Sequence, residues 1–207
     1  MHPFTASTLP PELSAQLAPP PFALRIDSRL HLRQLHPADA PEIARLVDAN
    51  RAFLRQWVPW VDRSRSSADV LTFIGNTLRQ AAAGEGFQAA IRAEGRIVGV
   101  IGHHGIDWEN RRTTIGYWLS EQSQGRGIMT AACRAVVAHA FDVLRLNRVQ
   151  ICCATTNRRS RAIPERLGFT CEGILRQAEW LYDHFVDHAI YARLTEKVEA
   201  RGVEPLS

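Results

Sequence analysis

Thr114-Ile-Gly-Tyr-Trp-Leu-Ser-Glu-Gln-Ser-Gln-Gly-Arg-Gly-Ile-Met-Thr130 decides how this chain is read, because an apolar strand passes through a glycine turn straight into a helix. Ile115, Tyr117 and Leu119 alternate with smaller or polar residues as a strand requires, while Ile128, Ala132, Ala135, Val136 and His139 recur at helical spacing. Between them lies Gln122-x-x-Gly125-x-Gly127. Two glycines one residue apart let the backbone take positive φ and come close to a ligand, so that several N–H groups converge. The helix that starts near Gly127 adds its unpaired N-terminal donors and the positive end of its dipole, a combination that holds a pyrophosphate without lysines. The same spacing also serves plain tight turns.

A length of 207 residues fits one domain with a full hydrophobic core, and the mixture of 45% hydrophobic and 22% charged residues is that of a globular protein. The longest apolar runs, such as Ile97 to Ile101, are far shorter than a membrane span, and Met1 to Ala23 has neither a basic start nor an apolar signal core. These features predict a cytoplasmic protein without a membrane partner. The net charge of +4 is carried almost entirely by arginine, Lys197 being the single lysine. Arginines are scattered from Arg25 to Arg201 and accompany no nucleic-acid-binding motif, so direct nucleic-acid binding is not expected. Four cysteines (Cys133, Cys152, Cys153, Cys171) form no C-x-x-C, which indicates neither a disulfide framework nor zinc.

Outward from the glycine turn, residues 1–24 contain Pro10-Pro11 and Pro19-Pro20-Pro21 and read as an extended or flexible leader, residues 25–198 as one domain and residues 199–207 as a tail. Leu30 to Leu35 alternates as a first strand, and Pro37-Ala-Asp39 opens a helix in which Ile43, Leu46 and Val47 share a face. A second helix, capped by Ser66 or Ser67, carries Val70, Phe73, Ile74, Thr77 and Leu78 as its inner stripe and ends at Gly84. From Gly86 the period becomes two. Phe87–Arg92 and Arg96–Gly105 flank the tight hairpin turn Glu94-Gly95, and Arg111–Ser120 continues the meander. Beyond a helix over about 127–144 come a strand at 147–154, a short helix at 160–167, and strands at about 169–181 and 185–194. The order β-α-α-β-β-β-α-β-α-β-β predicts an α/β fold, a mixed, mostly antiparallel sheet with helices on both faces.

The segment Asn157-Arg-Arg-Ser160 to Leu167-Gly168-Phe169 lies about thirty residues beyond the glycine turn. Strand, Q-x-x-G-x-G turn, long helix, strand, then N-x-x-S and a short helix ending in L-G-F together resemble the GNAT superfamily of acetyl-CoA-dependent N-acetyltransferases. Glu172-Gly173, Arg176-Gln-Ala-Glu179-Trp-Leu and Asp187-His-Ala-Ile-Tyr191-Ala-Arg-Leu look like its RimL-type branch, which acetylates α-amino groups of ribosomal proteins. The similarity spans roughly Leu30 to Leu194. It implies a splayed central parallel strand pair, with Trp118 and Leu119 offering backbone groups to the pantetheine arm, and a cradle for the acetyl-CoA pyrophosphate at Gln124, Gly125, Arg126, Gly127, Ile128, Met129 and Thr130. It further implies that Asn157 binds the pantetheine and that Ser160 sits near the thioester sulfur. Many members carry a tyrosine four residues after that serine. Pro164 stands there in this chain, leaving Ser160 or water to protonate the thiolate, and Ala131 replaces a glutamate that many relatives have after Met-Thr. Glu179 is then the carboxylate that takes the proton of the incoming amine, in direct attack within a ternary complex. Read without the resemblance, Glu179 is a surface glutamate paired with Arg176.

Other readings of the residues point elsewhere. Acetyl transfer through Cys152 or Cys153 is disfavoured because a core thiol away from positive charge keeps a high pKa. His184 and His188 lie four apart in a strand, roughly 13 Å, too far to chelate one metal ion. A polyamine, antibiotic or amino acid can replace a protein N-terminus as acceptor, and a non-catalytic acyl-CoA sensor would have the same fold. Trp57, Trp60, Trp108 and Trp180, outside the helical stripes, suggest a homodimer contact or an acceptor cleft.

Overall fold

Glu94 and Gly95 both take positive φ, 52° and 81°, as the two central residues of a tight primed hairpin turn must, and the meander forms around them. The computed structural model describes residues 21–195. Its elements are β1 (Ala23–Arg25), β2 (Leu30–Gln34), α1 (Ala40–Ala49), α2 (Arg51–Leu54), α3 (Ser67–Ala82), β3 (Gln88–Ala93), β4 (Arg96–Asp107), β5 (Arg112–Leu119), α4 (Ile128–Asp142), β6 (Arg148–Ala154), α5 (Arg158–Arg166), β7 (Thr170–Leu181) and β8 (His184–Leu194). The strands form one mixed sheet in the order β1-β2-β3-β4-β5-β6-β8-β7. Every neighbouring pair is antiparallel except β5 and β6, whose parallel ladder holds only from Arg112↔Arg148 to Thr114↔Gln150 and then opens. The splayed pair is therefore present, and its gap begins at Ile115.

Two features depart from the expectation. Ala23 and Leu24 belong to β1, which pairs with β2, and Phe22 stacks on Phe87 at 3.8 Å, so the ordered domain starts before residue 25. Most of the expected leader and all of the expected tail lie outside the described residues. The short helix α2 after Asn50 is the second addition.

Alternation along the central strands feeds two cores. Ala89, Ile91, Ile101, Ile115 and Ile151 face α4 and α5, while Ala90, Ile97 and Val100 face α1 and α3. Ser66 and Asp69 close a reciprocal capping box at the start of α3. Among the described residues no helix is long and apolar enough to cross a membrane.

His103 is fully buried on the α4 side, with Nδ1 3.0 Å from Thr113 Oγ1 and its ring edge-on to Phe87. Burial, and then the neighbouring imidazoles of His139 and His104, push its pKa from 6.5 down to about 4. A folded-state pKa below the unfolded one means that the unfolded chain binds the proton first. Stability is thus full above 6.5 and falls as pH drops toward about 4, by about 3 kcal/mol for this group. Urea unfolding of His103→Gln should show an acid loss smaller by that amount. Equal losses in variant and wild type would show that His103 is not shielded.

Candidate active site

Gly125 and Gly127 sit at φ 73° and 75°, in the left-handed region where glycine carries no steric penalty. A Cβ built on either meets no heavy atom within 4 Å, so space is open on the side a ligand would approach. The first N–H of this segment with an intramolecular partner is that of Ala131, bonded to the Gly127 carbonyl. Among the described residues, those of Gly125 to Thr130 have no acceptor, which leaves a fan of donors at the positive end of α4. This is the observation that fits a pyrophosphate.

The turn is held from below. Asn50 is buried, accepts from the Glu121 N–H through Oδ1 at 2.9 Å and donates to the Leu46 carbonyl, and the Ser120 and Ser123 hydroxyls pair at 2.8 Å. Leu119, Ile128 and Met129 line the cleft but send buried side chains into the core. Arg126 turns toward the β3–β4 hairpin and pairs with Glu94 at 3.1 Å. Gln124 accepts from Arg159 at 2.7 Å, and Arg134, Arg158 and Arg166 also line the cleft. These arginines supply the positive charge that the reading of the glycine turn left out.

Past the opening of β5 from β6, the cleft runs through the sheet with a volume of about 1820 Å³, larger than a single small-molecule pocket. Asn157 caps α5, its Oδ1 accepting from the Ser160 N–H at 3.1 Å. Ser160 Oγ lies 3.2 Å from Cys153 Sγ and 3.3 Å from the Tyr117 hydroxyl. Pro164 has no N–H to bond the carbonyl four residues back, which is that of Ser160. Tyr117 donates to that freed carbonyl at 3.2 Å. The proline that displaces the familiar tyrosine thus creates the acceptor for another one, on β5. Burial pushes the Tyr117 phenol well above its ordinary value and raises Cys153 as well, so both stay protonated at neutral pH.

The opposite face of the sheet forms the second half of the cleft. Trp57, Trp60 and Trp118 line it, with Trp60 and Trp118 ring centroids 5.8 Å apart. The β7–β8 hairpin tip roofs it, since Tyr182 donates to the Val58 carbonyl at 2.8 Å and lies under the Arg55 guanidinium. Glu179 faces this half and pairs with His188, Oε2 to Nε2 at 3.4 Å. The expected alternative partner, Arg176, instead lines a shallow recess with Gln177 and Asp187. His104 stands on the same wall over Gly116, where any Cβ would strike its ring. Burial lowers its pKa from 6.5, opposed by the Glu179 carboxylate. Packed over Gly116 yet exposed to the cleft, it is a wall residue rather than a core one like His103.

Trp57 and Trp60 thus belong to the cleft, whereas Trp108 and Trp180 are about half exposed, Trp180 edge-on to Phe185 at 4.7 Å. The structure brings Ser160, Asn157, the glycine turn and Glu179 to one cleft. Sequence reasoning does not reach the side chains of Tyr117 and His104, and it weighs His188 only as a metal ligand.

The sequence profile of the Acetyltransferase (GNAT) domain matches residues 29–170. A putative ribosomal N-acetyltransferase, YdaF, of Bacillus subtilis (strain 168) is 37% identical over 86% of this chain and 98% of its own. Ribosomal-protein-serine acetyltransferase of Escherichia coli (strain K12) is 30% identical over 84% of this chain and 97% of its own. The solved structure of RimL, a ribosomal L7/L12 alpha-N-protein acetyltransferase in complex with coenzyme A, superposes with a TM-score of 0.81 at 29% identity, covering 84% of this chain and 98% of that one. With the unpaired donors at the glycine turn and the opened strand pair, these matches establish that the chain belongs to the GNAT family, on its RimL-like branch, as an acetyl-CoA-dependent N-acetyltransferase.

Proposed function

We propose that this protein acetylates the N-terminal α-amino group of a ribosomal or other cytoplasmic protein, by direct attack in a ternary complex. The observation that carries the reading is the carboxylate of Glu179, held on the far half of the cleft from the glycine turn with Ser160 between the strands. The names of the similar proteins support a protein acceptor. Acetyl-CoA supplies the acetyl group as a thioester.

The N–H groups of Gly125 to Thr130 bind the pyrophosphate, backbone of Trp118 and Leu119 and the Asn157 amide hold the pantetheine, and the aromatic walls of Trp57, Trp60 and Trp118 exclude water around the acceptor. An α-amino group has a pKa near 8 and is largely protonated at neutral pH, so Glu179 takes its proton. The leaving thiolate takes a proton from water, either directly or relayed through Ser160 Oγ, which regains its own proton as it passes one on and stands 3.3 Å from the Tyr117 hydroxyl. Raised thiol pKa values at Cys152 and Cys153 argue against a cysteine-borne acetyl group.

Purified protein with acetyl-CoA, ribosomal proteins, serine- and alanine-terminated peptides and small amines, read by free-thiol release and product mass, tests the reading. Thiol release with polyamines or amino acids alone would overturn the protein acceptor. The assembly we propose is a homodimer covering Trp180 and Phe185. Sedimentation at micromolar concentration should give twice the 23.2 kDa chain mass, and a monomer alone would discard it.

A further inference from the structure

We propose that His188 is a positioning residue for Glu179, holding its carboxylate toward the acceptor and receiving from it the proton that leaves the amine. This rests on the reading of Glu179 as the base. The bulge in β7 makes the contact. Leu175 pairs with His188 and Glu179 with Val186, so Arg176, Gln177 and Ala178 together oppose Asp187 alone. Gln177 takes φ 50° and donates its N–H to Asp187 Oδ1 at 2.7 Å, which pins the extra residues. In a regular ladder continuing from Leu175↔His188, Glu179 would stand opposite His184, four positions from His188 and roughly 13 Å away along the strand. The bulge slides it by two residues. Opposite Val186, Glu179 shares a face with His188 as its diagonal neighbour, a spacing that long side chains bridge, and the two meet at 3.4 Å.

Their exposures, 31% for the Glu179 side chain and 19% for His188, leave a path from the imidazole to solvent. The other titratable groups facing the pair from neighbouring elements are His104 on β4 and Cys152 on β6, while Asp187 on β8 is tied to the bulge.

The proton balance is simple. The ammonium N–H bond breaks as the proton joins a Glu179 oxygen; the proton then moves to His188 Nε2, restoring the carboxylate beside an imidazolium, and leaves to water. An imidazole ordinarily holds a proton more tightly than a carboxyl does, so the second step runs downhill and frees Glu179 for the next amine. A carboxylate alone would have to hold the proton at a pH far above its ordinary range.

NMR of imidazole nitrogens in the ligand-free protein reads the pair without any acceptor. Glu179→Gln should shift the His188 Nε2 resonance, which reports the contact at 3.4 Å, leaving those of His31 on β2 in place. With acetyl-CoA and serine- or alanine-terminated peptides, His188→Gln keeps an N–H donor but removes the titrating ring. It should lower kcat about 10–10²-fold with the KM for acetyl-CoA unchanged, and move the acid limb of the kcat/KM profile. His188 resonances indifferent to Glu179→Gln, or a His188→Gln enzyme with wild-type kcat and pH profile, would overturn the proposal. A Glu179→Gln enzyme with full turnover instead removes the base itself, a separate failure that the NMR experiment does not depend on.

Discussion

Glu179→Gln is expected to lower kcat roughly 10²–10⁴-fold, the range that loss of a general base produces, while acetyl-CoA affinity stays nearly constant. The asymmetry follows from the geometry. Glu179 stands on the acceptor half of the cleft, at the end of the β7 bulge, and the donors that fit the pyrophosphate lie at the start of α4. The amide keeps the shape of the carboxylate and can still contact His188, so the fold and the wall of the cleft survive. Ser160→Ala and Tyr117→Phe should cost less, about tenfold each, because water can replace a hydroxyl near a leaving thiolate of low basicity. Raising the pH should partly rescue Glu179→Gln, since a deprotonated amine no longer needs the base. A folding defect would not recover in this way. Wild-type turnover in the variant would assign Glu179 a structural part and leave the proton to water.

The local signals in the chain were informative where structure is made by neighbours in sequence. Glu94-Gly95 marks its hairpin, Ser66 or Ser67 the cap of α3, which the structure gives to Ser66, and the glycine pair the start of α4 near Gly127. The family motif then placed Ser160, Asn157 and Glu179 in one cleft. What escaped was set by cross-strand register. β4 carries a bulge between His103 and Ile106, with Gly105 at φ 112°, just beyond the point where alternation turns His103 into the core and His104 to the cleft. The β7 bulge likewise brings Glu179 to His188 rather than to Arg176. Gly105 hints at the first bulge, but Arg176-Gln-Ala178 carries no glycine, and its extra residues show themselves only against their partner Asp187. The Tyr117 contact needed even more, a missing N–H at Pro164 in one element and, from another, a phenol 43 residues before the Ser160 carbonyl that accepts it. The expected pairing of Glu179 with Arg176 rested on proximity in sequence, and strand alternation across the bulge defeats it.

Replacing Gly125 or Gly127 by valine is expected to weaken acetyl-CoA binding about 10²–10³-fold, or roughly 3–4 kcal/mol, with part of the affinity retained because the pantetheine contacts remain. Two effects combine. At φ 73° and 75° any L side chain is strained by about 1–2 kcal/mol, and a branched one most, so the turn relaxes and its N–H groups no longer converge. The side chain also fills the open space that faces no protein atom within 4 Å, the space through which a phosphate must come to reach the donors. Asparagine separates the two effects, since it tolerates the left-handed region yet still places atoms in that space. If close approach dominates, Gly127→Asn should lose nearly as much affinity as Gly127→Val while unfolding at nearly the wild-type temperature. If backbone strain dominates, Gly127→Asn should bind almost normally. The core beneath is insulated from either change, because Leu119, Ile128 and Met129 pack below the turn and Asn50 anchors its far side through the Glu121 N–H. Calorimetry with acetyl-CoA showing unchanged affinity in both valine variants would remove the pyrophosphate from this turn, and the arginines Arg134, Arg158, Arg159 and Arg166 would be left as the phosphate site.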